Sequence, residues 1–315
     1  MAIRQTVLVT GAGGFVGRAL VRRLREAGSA DIRTASRRAS PGGGSADFAV
    51  EGVDGTTDWK DALDGCDAVV HLAARVHVLR EQATDPRGEF LRVNLDGTQR
   101  LAEQAATSGV RRFVFVSTVG VCGQFTRPGS PIGPGSTRAP QGGYAESKAL
   151  AEDALREVAT RHGMEWTVVR PPMTYGRGAP GNFAAMCRAL RSGMPLPLAS
   201  VRNRRSLIAV GNLADFLAAA ASHPTAAGRV LTVSDGDDVS TPEFLRRTAA
   251  AMGIGGARLV PFPPAILRAA LLCAGQARMA QRLLDSLEVD AKSSAAAIGW
   301  RPPLSMQAAL AESFA

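Results

Sequence analysis

The stretch Val7-Leu-Val-Thr-Gly-Ala-Gly-Gly-Phe-Val-Gly17 opens with a short apolar run and then places three glycines three residues apart. Apolar residues recur at helical spacing after it, with arginines between them, and Gly28 stands where such a helix would end. A strand, a glycine-rich turn and an amphipathic helix in this order predict an anion site, because glycines let the backbone approach a pyrophosphate and the helix N-terminus offers free N–H groups. The spacing is G-x-x-G-x-x-G rather than G-x-G-x-x-G, so the flanking elements, more than the spacing, set this site apart from an ordinary glycine-rich turn.

Strand-like and helical runs alternate through the first half of the chain. The apolar pattern predicts strands at about 31–36, 68–73, 113–117 and 165–169, and helices at about 87–108 and 144–162. Such alternation is typical of βαβ units, so the predicted fold class is α/β, a Rossmann-type doubly wound parallel sheet. The stretch 126–143 is rich in proline and glycine and predicts a long loop.

Beyond Arg170 the helical runs become shorter and are separated by prolines, which predicts a smaller C-terminal substrate-binding domain. Residues 208–210 and 230–233 are strand-like and are expected to return to the core. We therefore expect a dinucleotide-binding domain over residues 1–170, with a return segment near 206–234, and a mainly substrate-binding domain over 171–315. The apolar run 265–274 is too short to cross a bilayer and predicts a helix packed on this domain, with docking at a membrane surface as the alternative.

Composition narrows the classes of partner. The 315 residues carry a formal net charge of +9, supplied mostly by scattered arginines, and only 5% of residues are aromatic, which favours small anions over nucleic acid. Four scattered cysteines with no CxxC pair predict reduced thiols and no metal site. No window of 18 uninterrupted apolar residues exists and the N-terminal apolar run is short, so we expect a cytoplasmic protein with no membrane span.

The end of the second predicted strand bears on the choice of coenzyme. A carboxylate at this position grips the adenosine ribose of NAD, whereas a basic residue accommodates the 2′-phosphate of NADP. The chain has Ser36 and Arg37 here, followed by Arg38, and no carboxylate. NADP is therefore favoured over NAD, with exposed loop arginines as the alternative interpretation.

Tyr144-Ala-Glu-Ser-Lys148 contains a second pattern with chemical meaning. With two tyrosines and three lysines in the chain, a chance Y-x-x-x-K is expected roughly 0.02 times. Residues four apart share one face of a helix, so Tyr144 and Lys148 would project together. An ammonium and a positively charged nicotinamide beside a phenol favour the phenolate, which predicts a lowered pKa for Tyr144 and a role in proton transfer.

The chain resembles the extended short-chain dehydrogenase/reductase family, that is, the NAD-dependent epimerases and dehydratases. The motifs that carry the resemblance cover nearly the whole chain and are Thr10-Gly-Ala-Gly-Gly-Phe-Val-Gly17, His71-Leu-Ala-Ala74, Val93-Asn-Leu-Asp-Gly-Thr98, Ser117-Thr118, Tyr144-xxx-Lys148, Arg170-Pro-Pro172, Leu287-Glu-Val-Asp290 and Ile298-Gly-Trp300. The family implies a Rossmann sheet with a small nucleotide-sugar domain. It also implies homodimers formed through the helices near 87–108 and 144–162.

The resemblance implies a set of site residues. Thr118 would be the third catalytic residue beside Tyr144 and Lys148, because it lies three residues before Val121-Cys122-Gly123, where the family has V-Y-G. The family's dehydratases carry Asp-Glu directly after this threonine; here Val119-Gly120 disfavours dehydration. The implied cofactor contacts are Gly11, Gly14, Phe15, Val16, Gly17, Ser36, Arg37, Asp54 (towards adenine), Leu72, Ala73, Ala74, Asn94, Tyr144, Lys148 and Pro171. His71 is expected to be a satisfied buried residue.

On the substrate side, the resemblance implies that Arg205 grips a nucleotide diphosphate and that Asn182 and Arg282 lie close to it, with Thr118 at the sugar. Arginine suits phosphate through charge and forked geometry. The alternative for each is a solvated loop residue.

A finer resemblance, carried by 71–78, 194–198 and 234–241, is to 4-ketoreductases that complete UDP-N-acetylquinovosamine-type 6-deoxy sugars for surface polysaccharides. The expected activity is reduction of a nucleotide-linked 4-keto sugar by NAD(P)H. The alternatives are a C4 epimerase, which keeps its NAD bound, and a non-catalytic protein that senses NADP.

Overall fold

The computed structural model describes residues 4–37, 47–76 and 83–315. Arg38, and residues 77 and 78 of the stretch that carries the finer resemblance, lie outside the described residues.

The strands of the described chain are β1 Gln5–Thr10, β2 Ala30–Ser36, β3 Phe48–Ala49, β4 Ala68–His71, β5 Arg112–Val116, β6 Glu165–Arg170, β7 Met173–Tyr175, β8 Leu207–Ala209 and β9 Arg229–Thr232. Seven of them form one parallel sheet in the order β3-β2-β1-β4-β5-β6-β9. This is the predicted doubly wound Rossmann arrangement, and the fold class is confirmed.

The helices are α1 Phe15–Ala27, α2 Lys60–Leu63, α3 Pro86–Leu91, α4 Gly97–Thr107, α5 Gly143–His162, α6 Asn182–Arg191, α7 Val210–Ser222, α8 Thr241–Ala251, α9 Pro264–Cys273, α10 Ala277–Leu284, α11 Lys292–Ala297 and α12 Met306–Phe314. A π turn, Arg92–Asp96, joins α3 to α4 without a break, so the helix predicted near 87–108 is present from Pro86 to Thr107. Gly28 ends α1 in the left-handed conformation, as its place in the sequence indicates.

Apolar residues of one strand divide between the two faces of the sheet. Val7 and Val9 of β1 pack with α1 and α7, whereas Leu8 packs with α4 and α5. Successive side chains of a strand point to opposite faces, so an uninterrupted apolar run is what a sheet covered on both sides requires.

The chain returns to the sheet after a first excursion beyond β6. Helix α7 packs against α1, and β9 pairs with β6 at the edge of the sheet. The expectation for residues 208–210 is wrong in one respect: β8 pairs with β7 in a separate two-stranded sheet. Of the residues in β8, only Ile208 belongs to the core beneath α7. The apolar pattern therefore predicted a buried strand correctly, but it could not predict which strand would pair with it.

The C-terminal lobe packs two further apolar clusters beside the sheet. One joins β7, β8, α6, α8 and α12, and the other joins α6, α8, α9 and α10. Between β1 and β4 the direction of winding reverses, so the carboxyl ends of these strands open a crevice of the kind in which α/β proteins bind ligands.

Candidate active site

The glycine-rich turn lies at the crevice, between β1 and α1. Gly14 caps α1 without a side chain, and the first turn of the helix carries no carboxylate. The N-terminus of α1 therefore provides a field that favours an anion at this turn.

Two glycines of the turn are required by geometry. Gly11 has a φ of +66°, and a Cβ there would lie 2.8 Å from the backbone nitrogen of Ala73. A Cβ on Gly17 would lie 2.8 Å from the Cα of Ala12. The turn is therefore packed tightly against the end of β4, and it forms a cradle that only glycine backbone can line.

His71 is held inside the protein by two threonines. Its Nδ1 lies 2.7 Å from Thr10 Oγ1 and its Nε2 lies 3.1 Å from Thr98 Oγ1. Burial, aided by the charge of Lys148, lowers the pKa of His71 to about 3, so the ring is neutral at physiological pH. The expectation of a satisfied buried histidine is confirmed, and its role is to tie β1, β4 and the helix after the π turn together.

The segment after β4 is fixed by Asn94, which lies in the π turn and is fully buried. The Asn94 side chain accepts the Arg75 N–H at 2.8 Å and donates to the Arg75 carbonyl oxygen and to Ser147 Oγ, both at 3.0 Å. These bonds place Leu72, Ala73 and Ala74 between the glycine turn and α5. In this geometry Asn94 shapes the wall of the crevice through the backbone.

The residues expected near the adenosine lie at the opposite end of the crevice. Ser36 ends β2 and is half-buried, and Arg37 follows it and is exposed. Asp54 accepts hydrogen bonds from Thr56, which together with Arg92 hold the pKa of its carboxyl below the usual value. The carboxylate of Asp54 is thus ionised and already engaged with Arg92 at 2.7 Å.

Tyr144 and Lys148 stand one turn apart near the start of α5, as the spacing predicts. The Tyr144 ring is half-buried and meets Phe90 edge-on, with ring centres 6.2 Å apart. Lys148 is 2% exposed; its Nζ donates to the Val116 carbonyl oxygen at 2.8 Å and lies 4.3 Å from the centre of the Phe115 ring. The carboxyl end of β5 therefore positions the amine.

The pKa values of this pair are set by burial in the protein alone. Burial raises the pKa of Tyr144 to about 12. The predicted lowering depends on the nicotinamide as well as on Lys148, so it stays a prediction. Burial also lowers the pKa of Lys148 to about 7, against the opposing charge of Glu152. The protein alone thus holds a neutral phenol beside an amine poised near neutrality; a positively charged group bound in the crevice would favour the phenolate.

Two neighbouring hydroxyls after β5 face different environments. Ser117 Oγ donates to the buried Glu152 carboxylate at 2.6 Å. Thr118 is half-buried and accepts the Gly120 N–H at 3.1 Å, so its hydroxyl proton can be given to another acceptor. The backbone behind Thr118 is fixed by the Val119 N–H, which donates to the Pro171 carbonyl oxygen at 3.1 Å. Thr118 is the hydroxyl suited to a ligand.

Glu152 is a structural residue of the site that the sequence analysis missed. It is completely buried, two helical turns beyond Tyr144, and it accepts from Arg170 at 2.9 and 2.6 Å in a forked pair. Arg170 also donates to Cys122 Sγ at 3.3 Å, where the family has tyrosine. The pair joins α5 to the ends of β5 and β6. The sequence signal that could have indicated Glu152 is its position one helical turn after Lys148, on the same face of the helix.

The residues expected at the diphosphate are brought together across a large sequence separation. Arg282 Nη1 donates to Asn182 Oδ1 at 3.3 Å. Burial lowers the pKa of Arg205 to about 10, and the charge of Arg282 adds to this lowering while Asp285 opposes it. Burial and the charge of Arg278 lower the pKa of Arg282. These three arginines, here called the arginine cluster, repel one another and would be stabilised by an anion.

Arg278 is the member of the cluster that the sequence analysis missed. It lies one turn before Arg282 on α10. Its guanidinium is 3.7 Å from where a Cβ on Gly142 would be, so it reaches the residue that caps the helix of Tyr144. The cluster and the Tyr144–Lys148 pair therefore belong to one crevice, and the i, i+4 spacing to Arg282 was the only hint in the sequence.

These residues fit a dinucleotide. The cradle of Gly11 and Gly17, which any Cβ would fill, suits a pyrophosphate, and α1 directs its uncapped N–H groups towards it. Within the described residues, no group of three or more histidine, cysteine, aspartate or glutamate side chains could hold a metal ion.

Comparison with known proteins identifies the family. The model of the NAD dependent epimerase/dehydratase family matches residues 7–234. The chain belongs to this family. Among its relatives, the UDP-glucose 4-epimerase of Vibrio cholerae is 36% identical over 304 residues, 96% of this chain and 92% of that protein. The ceramide reductase of Caulobacter vibrioides is 32% identical over 275 residues, 85% and 77% of the two chains.

Solved structures of the family superpose on almost the whole chain. MoeE5 in complex with UDP-glucuronic acid and NAD is 25% identical, with a TM-score of 0.76 over 98% of this chain and 97% of that one. UDP-N-acetylglucosamine 4-epimerase from Bacillus cereus shares the fold at 19% identity, with a TM-score of 0.77 over the same shares. In the parts of the chain that the structure describes, no helix combines the length and apolar character needed to cross a membrane.

Proposed function

We propose that this chain is a nucleotide-sugar 4-epimerase that inverts C4 of a UDP-linked sugar through a 4-keto sugar. The observation that carries the proposal is the 36% identity to a UDP-glucose 4-epimerase over 96% of the chain. It is supported by a crevice in which the Tyr144–Lys148 pair and the arginine cluster both lie. NAD is the coenzyme of this proposal because an epimerase retains its coenzyme through the cycle, and two solved structures of one similar protein, MoeE5, contain NAD with a UDP-sugar.

The bound nicotinamide would supply the acceptor and donor of hydride. Tyr144 would take the proton of the C4 hydroxyl and later return it, because it is the phenol at the mouth of the crevice. Lys148, held by Val116, would favour the phenolate and bind the nicotinamide ribose. Thr118 would align the reacting oxygen.

Substrate binding would fall to the arginine cluster. Arg205 and Arg282 would pair with the diphosphate, and Asn182, already bonded to Arg282, would orient it. Neighbouring arginines that repel one another would be stabilised by a doubly charged diphosphate.

A second candidate, which the sequence by itself favours, is a 4-ketoreductase of a nucleotide-linked 4-keto-6-deoxy sugar of the UDP-N-acetylquinovosamine type, acting in surface polysaccharide synthesis. The observation in its favour is the end of β2, where Ser36 and Arg37 stand and no carboxylate is present to select NAD. NADP is the coenzyme of this candidate, since a net reductase exchanges its coenzyme at every turnover.

One assay separates the two candidates. Purified protein is incubated with UDP-glucose and with UDP-N-acetylglucosamine, without added coenzyme, and the products are resolved by chromatography. Interconversion with the galacto epimer supports the epimerase. In a parallel assay with a UDP-linked 4-keto sugar and NADPH, consumption of one equivalent of NADPH per 4-keto sugar supports the reductase instead. Mass spectrometry of the dinucleotide released on denaturation gives an independent answer.

Three further expectations are part of this proposal. They are the division into residues 1–170 and 171–315, a homodimer formed through α4 and α5, and a cytoplasmic location. Light scattering of the purified protein, measured as it leaves a size-exclusion column, gives the number of subunits. A non-catalytic NADP sensor would require that Tyr144→Phe leave every measured property unchanged.

A further inference from the structure

Helix α9 is the apolar helix of the C-terminal lobe that the sequence singled out, and it is poorly covered. None of its residues is buried: Ile266 is 57% and Leu272 is 51% exposed, and Met279 of α10 is 46% exposed. Leu267 and Leu271, on the other side of α9, pack against the lobe. We call Ile266, Leu272 and Met279 the α9–α10 face.

The exposed apolar side chains of the described chain concentrate in this lobe. Five of its eight exposed large hydrophobic residues belong there, since Met194 and Val260 join the α9–α10 face. The segments of Met194 and Val260 are held together by the pairing of Leu196 with Leu259. Large apolar patches on a protein surface mark binding surfaces.

The charge of the lobe is predominantly positive. Residues 182–203 and 244–284, which include α6, most of α8, α9 and α10, contain nine arginines and no lysine, aspartate or glutamate. The acids at their borders, Glu243 and Asp285, pair with Arg246, Arg247 and Arg268. The rest of the chain balances 28 basic against 28 acidic residues, so these two segments account for the net charge of +9. Arg258 is exposed and donates to the Gly193 carbonyl oxygen at 3.3 Å, next to the exposed Met194.

We propose that the α9–α10 face docks on the surface of an anionic phospholipid bilayer. Helices with an apolar outer side and arginines around them bind at the interface of an anionic bilayer. The apolar side chains enter the lipid, and the arginines contact the negatively charged headgroups. Ten residues of helix extend only about 15 Å, half the hydrocarbon thickness, so α9 would lie along the interface rather than cross it.

The charge argues against two other occupants. A second copy of this lobe would bring a second surface with the same excess of arginine to the contact and be repelled. A nucleic acid would match the arginines but leave Ile266 and Leu272 in water. The inference does not rest on the proposed function, although α10 carries both Met279 and Arg282, so the docked surface and the arginine cluster share one helix.

The test is sedimentation with vesicles of equal phosphatidylglycerol and phosphatidylcholine, compared with vesicles of phosphatidylcholine alone, in low salt. We expect the protein to partition at least tenfold more strongly onto the anionic vesicles. The double variant Ile266→Ser/Leu272→Ser should lose at least tenfold of this binding. Phe125→Ser is the matched control, because Phe125 is 49% exposed outside the α9–α10 face and outside α4 and α5, and this variant should bind as the wild type does.

A charge reversal provides a second variant that does not depend on the apolar residues. Arg258→Glu should weaken binding to anionic vesicles several-fold, whereas Arg22→Glu, an equally exposed arginine on α1, should not. The proposal is overturned if the wild type stays in the supernatant with anionic vesicles, or if the double variant and Arg258→Glu both bind as the wild type does. A change in subunit number caused by the double variant would overturn it in favour of a subunit contact.

Discussion

The sheet side and the C-terminal side of the crevice differ in whether their charged groups are paired. Around the sheet, Glu152 neutralises Arg170, Lys148 is bonded to a carbonyl oxygen, and His71 is neutral between two threonines. In the C-terminal lobe, the charges of Arg205, Arg278 and Arg282 add up, and Asp285, which also pairs with Arg268, offsets only part of them. On the sheet side, pairing holds the side chains in fixed positions. In the lobe, the repulsion between the arginines would be relieved by a bound anion. Chemistry would belong to the first region and binding to the second.

The largest effect expected from this contrast is at Tyr144. Tyr144→Phe should lower kcat of the proposed epimerase by about 10²–10⁴-fold with little change in KM, because it removes the proton carrier and no charge from the lobe. Steady-state kinetics with UDP-glucose measure this. Tyr175→Phe is the control: Tyr175 is the other tyrosine of the chain, it bonds Asp235 in the interior, and its loss should leave kcat within a few-fold.

Glu152 sharpens the contrast through stability. Glu152→Ala leaves the Arg170 guanidinium buried without its partner, which should reduce the free energy of unfolding by about 3–5 kcal/mol. Urea denaturation gives the value. Glu157→Ala, on the same helix but paired with Arg161 at the surface, should change it by less than about 1 kcal/mol. Equal losses in the two variants would show that the buried pair is not special.

Lys148 makes stability depend on pH. Its pKa falls from the usual 10.5 to about 7 on folding. The unfolded chain therefore binds more protons between these pH values, and stability should rise with pH across that window. Lys148 should contribute about 2 kcal/mol of this rise between pH 7 and pH 9. Denaturation at both values should show that Lys148→Met flattens the increase. An identical increase in the variant would mean that the buried amine keeps its ordinary pKa.

The smallest expected effect is in the lobe. Arg282→Ala should raise KM for a UDP-sugar roughly tenfold and leave kcat nearly unchanged, because it removes one charged contact to the diphosphate and none to the sugar carbon. Arg246→Ala is the control, since Arg246 is exposed and pairs with Glu243 away from the cluster. If kcat fell and KM did not, the division between chemistry and binding would be wrong.

Much of the fold could be read from local pattern. The glycine turn, the order of strands and helices and the shared face of Tyr144 and Lys148 depend on residues within a few turns of one another, so periodicity and spacing are enough to predict them. The pairing of β8 with β7 could not be predicted, because an apolar run indicates burial but carries no information on its neighbour. The rise in the pKa of Tyr144 also escaped, since it results from burial rather than from the lysine.

The sequence by itself determined the α/β class, the place of the glycine-rich turn between β1 and α1 and the excess of arginine in one part of the chain. These follow from backbone sterics and from counting charges. The tertiary structure alone decided that Asn182 meets Arg282 across 100 residues, that Glu152 closes on Arg170, and that α9 turns an apolar side to solvent. Such contacts are set by how distant elements pack, and desolvation, which fixes the pKa values of the site, exists only once they have packed.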